Sequence, residues 1–218
     1  MTRIKICGIR EEVHALAAVE AGADFIGFVF ASTRRQVSPA KAREIVDTAK
    51  KSSSTVKPVG VFVDALASEV NQTADFCGLD WIQLSGNESW EYCRQIARPV
   101  IKAIRIGQQL RGEMNAELAV GLKTLSPQRF ITLLDSQVEG RYGGTGVTFD
   151  WRLAQQVAGE FPVIIAGGLN PENVARAIEV AAPWGVDVSS GVETDGTKDI
   201  AKIKAFIEAV RRSDDDER

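Results

Sequence analysis

Histidine is almost missing: His14 stands alone in 218 residues. A zinc site built on imidazoles and a histidine general base are both disfavoured by that count. Cysteine is scarce too, with Cys7, Cys77 and Cys93 making an odd set without a CxxC pair. That spacing excludes a disulfide framework, and three free thiols suit a reducing cytoplasm, the expected location. No apolar run reaches the roughly 18 residues a membrane span needs, and the opening MTRIKICGIR is too briefly apolar for a secretory signal. Charge of one sign is lacking as well: 26 Lys plus Arg against 29 Asp plus Glu leave a net charge of -3. This argues against a nucleic-acid partner, while a neutral or anionic small molecule remains open. What is present is a core-forming composition, 44% hydrophobic and 25% charged, at a length that one α/β barrel fills.

Eight short apolar, largely β-branched runs recur: Arg3–Ile9, Phe25–Phe30, Val56–Asp64, Trp81–Ser85, Val100–Ile106, Arg129–Asp135, Pro162–Gly168 and Gly185–Ser190. Their near-continuous apolar character suits strands covered on both faces. Between them lie stretches with helical spacing, among them Glu12–Ala21, Pro39–Lys51, Glu88–Ala97 and Pro171–Ala182. Ser38 before Pro39 and Asn170 before Pro171 read as helix N-caps. Strand and helix alternating eight times predict a parallel sheet closed into a single-domain (β/α)8 TIM barrel over residues 1–212. An open doubly wound sheet is the competitor, but no glycine fingerprint follows the first strand. The charged tail Ser213–Arg218 is expected to fray.

In such barrels ligands bind on the loops that follow the strands, so strand ends make the candidate list. Lys5 and Cys7 alternate with Ile4 and Ile6, which aims the first pair into the barrel, where an ammonium beside a thiol favours thiolate. A small buried hydrophobe is the plain alternative for Cys7, and packing is the expectation for Cys77, Cys93 and His14. Asp135 ends the sixth strand, roughly across the ring from Cys7, placed as an acid facing a base. Gly143-Gly144-Thr145-Gly146 gives a loop that can fold closely over a ligand. Gly167-Gly168 and Ser189-Ser190-Gly191 end the seventh and eighth strands; their backbone N–H groups, with a short helix near Ser190, read as a phosphate site. Arg35 by itself reads as an exposed loop charge.

These residues together resemble phosphoribosylanthranilate isomerase. The likeness is carried by Lys5-Ile6-Cys7-Gly8, Gly27-Phe28-Val29-Phe30, Arg35 with Val37-Ser38-Pro39, Ile82-Gln83-Leu84, Leu134-Asp135-Ser136 and Gly143-Gly144-Thr145-Gly146 with Phe149-Asp150-Trp151. It continues in Ala166-Gly167-Gly168-Leu169-Asn170-Pro171 and Asp187-Val188-Ser189-Ser190-Gly191-Val192-Glu193, so it runs from residue 3 to about 207. The resemblance implies a cofactor-independent Amadori rearrangement of N-(5-phosphoribosyl)anthranilate. It assigns Cys7 as general base and Asp135 as general acid. It places Arg35 on the anthranilate carboxylate, Lys5, Gly143 and Gly144 at the substrate, and Gly167, Gly168, Asp187, Ser189, Ser190 and Gly191 at the phosphate.

Three segments depart from the family pattern. Ser85 replaces the usual histidine after Gln83-Leu84, Thr33-Arg34-Arg35-Gln36 replaces a Ser-Pro-Arg-Tyr run, and Arg10 stands where threonine is common. Ser85 and Gln36 bear on the anthranilate side of the pocket. Another phosphosugar enzyme on the same barrel, or a silent phosphometabolite-binding barrel, are the alternatives. The implied partner is a phosphorylated small molecule, with no metal, cofactor, nucleic acid or membrane, and the chain is expected as a monomer or homodimer.

Overall fold

A computed structural model describes residues 1–105, 111–125, 129–135 and 151–216. Eight parallel strands close in sequence order into a barrel: β1 (Arg3–Cys7), β2 (Phe25–Val29), β3 (Lys57–Phe62), β4 (Trp81–Leu84), β5 (Val100–Arg105), β6 (Phe130–Asp135), β7 (Val163–Ala166) and β8 (Gly185–Val188). Closure is made by β8 pairing with β1, Asp187 lying opposite Lys5. The helices between them are α1 (Glu12–Ala21), α2 (Pro39–Ser52), α3 (Ala67–Cys77), α4 (Trp90–Cys93), α5 (Arg111–Thr124), α6 (Trp151–Ala158), α7 (Val174–Ala181) and α8 (Ile200–Asp216). The expected (β/α)8 barrel is thus present. Among the described residues no helix is long and apolar enough to cross a membrane.

Strand alternation divides the core in two. Ile4, Ile6, Ile26, Phe28, Ile82, Leu84 and Leu134 face outward into the layer beneath the helices. Phe25, Val59, Ile101, Ile131, Leu133 and Ile164 form a second cluster inside the ring, with Trp81 and Trp184 packed against it. Phe25 meets Trp81 edge to face, ring centroids 6.2 Å apart, and Trp184 at 6.0 Å. The ring is therefore filled rather than hollow, as side chains fill other eight-stranded barrels.

Three expectations need correction. The helix expected over Glu88–Ala97 is only α4, four residues long. Asn71 of α3 explains why: its side chain donates to the Gln95 carbonyl and accepts from the Ala97 N–H, so those backbone groups are satisfied without a further turn. The helix expected from Pro171 starts at Val174, because Asn170 Oδ1 accepts from the N–H groups of Glu172 and Asn173 and holds an Asx turn instead. The charged tail does not fray at Ser213, since α8 runs on to Asp216. Asp214 is buried and accepts from the Thr2 N–H at 2.9 Å and the Thr2 hydroxyl at 2.7 Å, tying the last turn to the chain's start.

Candidate active site

The residue alternation that buries Ile4 and Ile6 outward sends Lys5 and Cys7 inward. Lys5 is only 1% exposed, a burial a lysine tolerates only when paired. Its partner is Asp187, in register on β8, with Nζ to Oδ1 at 2.8 Å. Gly27 makes the room. A Cβ there would lie 2.9 Å from the Cys7 sulfur and 3.3 Å from Lys5 Nζ, so ammonium and sulfur share the space above this glycine.

Burial alone would pull the Lys5 ammonium down, but the Asp187 carboxylate and the Cys7 sulfur together hold its pKa above the ordinary value. For Cys7 the balance runs the other way: burial pushes the thiol up, and the Lys5 ammonium only partly offsets it. The expectation that Lys5 would favour thiolate is right in sign, yet desolvation wins and Cys7 rests as a thiol. Cys77 and Cys93 are pushed up to about 11 by burial among the helices, in keeping with packing roles. His14 is buried as well, and burial lowers its pKa.

Asp135 closes β6 on the face that carries Ile131 and Leu133 into the ring, and it is half-buried at the rim. Arg105 lies opposite it in register at the end of β5 and donates to the Ser85 carbonyl at 3.1 Å. Arg105 was legible only as part of a strand, and the β5–β6 register is what sets its backbone opposite Asp135. Gln83 is inward and buried; its amide donates to the Ser85 hydroxyl at 3.0 Å, so the serine that departs from the family pattern is used within the pocket wall. Among the described residues the Gln83 Oε1 has no hydrogen-bond partner.

The loops after β7 and β8 meet backbone to backbone. Gly167 and Gly168 take φ of 86° and 68°, values that only glycine adopts freely. A Cβ on Gly191 would run into the Leu169 carbonyl, so the close approach of the two loops requires glycine there. Asn173 donates to the Gly168 carbonyl at 3.0 Å and fixes the first loop from behind. The short helix expected near Ser190 is a single 3-10 turn, Ser190–Val192, too short to add an appreciable dipole, so any anion there must be held by N–H groups and hydroxyls. Asp187, two residues before Ser189, turns its carboxylate to Lys5. The pair is buried inside the ring.

Arg35 is not the exposed loop charge its sequence context suggests, since its side chain is 15% exposed. Its Nε and Nη2 donate to the two carboxylate oxygens of Glu193 at 2.7 and 2.9 Å. The stem crosses Gly8, where a Cβ would approach Arg35 Cδ to 2.8 Å, directly beside Cys7. Gly143 and Gly144 lie outside the described residues.

A filled (β/α)8 ring with a thiol and a carboxyl at its C-terminal rim, next to a glycine-built loop pair, belongs to the class of barrel enzymes. The family model for N-(5'phosphoribosyl)anthranilate (PRA) isomerase matches residues 4–209. The N-(5'-phosphoribosyl)anthranilate isomerase of Dehalococcoides mccartyi is 48% identical over 215 residues, covering 98% of both chains. A crystal structure of phosphoribosyl anthranilate isomerase from Thermotoga maritima superposes with a TM-score of 0.84 at 39% identity, covering 97% of this chain and all of that one. A crystal structure of a phosphoribosyl anthranilate isomerase in complex with reduced 1-(o-carboxyphenylamino)-1-deoxyribulose 5-phosphate gives a TM-score of 0.80 at 39% identity, covering 97% of this chain and 100% of that one. The chain belongs to the phosphoribosylanthranilate isomerase family and is an isomerase.

Proposed function

We propose that this chain converts N-(5-phosphoribosyl)anthranilate to 1-(2-carboxyphenylamino)-1-deoxyribulose 5-phosphate, with Asp135 as general acid and Cys7 as general base. Asp135 gives its proton to the furanose ring oxygen as the C1–O bond breaks, leaving an open-chain iminium. Cys7, as thiolate, then takes the C2 proton, and the C–H electron pair moves into the iminium. The resulting enolamine tautomerises to the ketone, and exchange with solvent returns the proton to the acid. The iminium is itself the electron sink. Each transfer is worth on the order of 10²–10⁴ in rate.

One observation carries this reading: Cys7 and the Lys5–Asp187 pair share the space above Gly27. Burial favours the thiol in the resting protein; the cationic iminium that forms beside it lowers the thiol pKa, so the S–H proton passes to solvent and the thiolate is available to accept the C2 proton. Lys5 supplies a second cation to the thiolate. Arg35 meets the anthranilate carboxylate, while Gly167, Gly168, Ser189, Ser190 and Gly191 hold the 5-phosphate, which keeps one end of the substrate fixed while its ring opens. The reaction takes place in the cytoplasm, where the three thiols stay reduced.

The test is a fluorescence assay following freshly generated phosphoribosylanthranilate with the purified protein. Consumption with saturation is expected, and no consumption would refute the reading. A substrate analogue without its phosphate should bind at least about a hundredfold more weakly, and equal affinity would remove the phosphate assignment.

A further inference from the structure

Glu193 takes no part in either proton transfer, yet it joins two sides of the rim. After β8 the chain makes its 3-10 turn and then a two-residue hairpin, β9 (Glu193–Thr194) and β10 (Thr197–Lys198). The turn residues Asp195 and Gly196 have φ of 50° and 78°, the pair of positive values that a tight hairpin prefers. The hairpin register sets Lys198 opposite Glu193, and Nζ reaches Oε1 at 2.8 Å. The same ammonium donates to the Ser189 carbonyl at 2.8 Å. Glu193 is thereby fixed to the loop after β8. On its other side it receives Arg35 in two parallel bonds and Arg34 at 3.1 Å, both from the loop after β2.

A guanidinium is a planar fork with two usable edges. Glu193 occupies the edge formed by Nε and Nη2. Among the described residues the Nη1 of Arg35 makes no hydrogen bond. We propose that Glu193 is a positioning residue, which clamps Arg35 by one edge so that the opposite edge meets the aryl carboxylate of the substrate, and which through Lys198 ties that recognition to the loop gripping the phosphate. The inference rests on the reading of Arg35 as the carboxylate-binding group. A carboxylate so near an anion subsite also repels the ligand. Three cations surround this one, however, so the corner stays cationic and the gain in orientation outweighs the repulsion.

The experiment measures binding of reduced 1-(o-carboxyphenylamino)-1-deoxyribulose 5-phosphate and of its counterpart lacking the aryl carboxyl group, by calorimetry on the full chain. Wild-type protein should prefer the carboxylated ligand. In Glu193→Gln that preference should shrink about tenfold, and KM should rise while kcat changes little. Equal weakening of both ligands means a merely structural role and overturns the proposal. Tighter binding of the carboxylated ligand means that repulsion dominates, and also overturns it. Should Glu193→Gln fail to fold by circular dichroism, Glu193→Asp, shorter by one methylene, carries the same prediction. Arg35→Ala serves as the control. If it keeps the preference, the reading of Arg35 falls and this inference with it. If it loses the preference while the Glu193 variant keeps it, the positioning role alone falls.

Discussion

The floor and the mouth of the barrel interior come from the same strands and face the same axis, but they are built on opposite chemical logic. The floor is dry and aromatic: Phe25, Trp81 and Trp184 interlock beneath Val59, Ile101 and Ile164. Toward the mouth, among the described residues, Cys7, Val29 and Val61 make a small apolar group with Ala31 packed against it, and the ring there also buries Lys5, Asp187 and Gln83. Lys5 shows how near the two regimes lie. It is rooted beside Phe25 in register, yet its ammonium reaches the space over Gly27, so an apolar stem belongs to the floor and a charge to the mouth. A buried ion pair contributes little net stability compared with apolar packing. The difference teaches that the floor holds the ring closed while the mouth gives up packing to hold charge where protons move.

That division can be broken from either side. The largest effect expected on stability is at the floor: Phe25→Ala should cost about 3–5 kcal/mol in chemical denaturation, with KM unchanged in the fraction that remains folded. Equal loss of KM would mean that the floor also shapes the substrate site. Gly27→Ala comes next. Its new Cβ meets the Cys7 sulfur at 2.9 Å and the Cys7 Cα at 3.2 Å, so the thiol must move, and kcat should fall by about 10–100-fold in steady-state assays with only a small change in melting temperature.

Two smaller effects sharpen the comparison through pH. Burial pushes the Glu193 carboxyl up, but its bonds to Arg35 and Lys198 prevail and hold it at about 2 against an ordinary 4.5. A depressed carboxylate contributes stability fully above its unfolded pKa and loses it as pH falls through the folded one. Denaturation midpoints of wild type should therefore drop between pH 4.5 and about 2, and Glu193→Gln should start lower and show a flatter acid limb across that window. A steep limb kept in the variant would assign the acid sensitivity elsewhere. Alkylation of Cys7 by iodoacetamide should show an inflection above the ordinary thiol value of 9.0, because burial raises it, and Lys5→Met should move it higher still by removing the opposing cation. An inflection below 9.0 would mean that the ammonium outweighs burial.

The barrel itself was legible because short, largely β-branched runs recur eight times with helix-forming stretches between them, and those signals are local. The inward aim of Lys5 and Cys7 followed from two-residue alternation against Ile4 and Ile6. What local signals could not carry were contacts across the sequence. Asn71 ends the segment after α4 from a different helix, and Asp214 is captured by Thr2 at the far end of the chain. Asp187 sits in a motif that suggests phosphate, and only the closure of β8 on β1 turns it to Lys5. Glu193 had a usable signal, an Asp195-Gly196 pair flanked by residues of opposite charge, which marks a hairpin that brings Glu193 and Lys198 together. Its hold on Arg35, 158 positions away, had none.

Turnover by two single variants tests the acid–base pair at the mouth most directly. With freshly generated phosphoribosylanthranilate and circular dichroism as a check on folding, Cys7→Ala and Asp135→Asn should each lower kcat by on the order of a thousandfold or more while the barrel stays intact. A folded variant of either kind that turns over within about tenfold of the wild-type rate would contradict the assignment of that residue and, with it, the acid–base pair at the mouth.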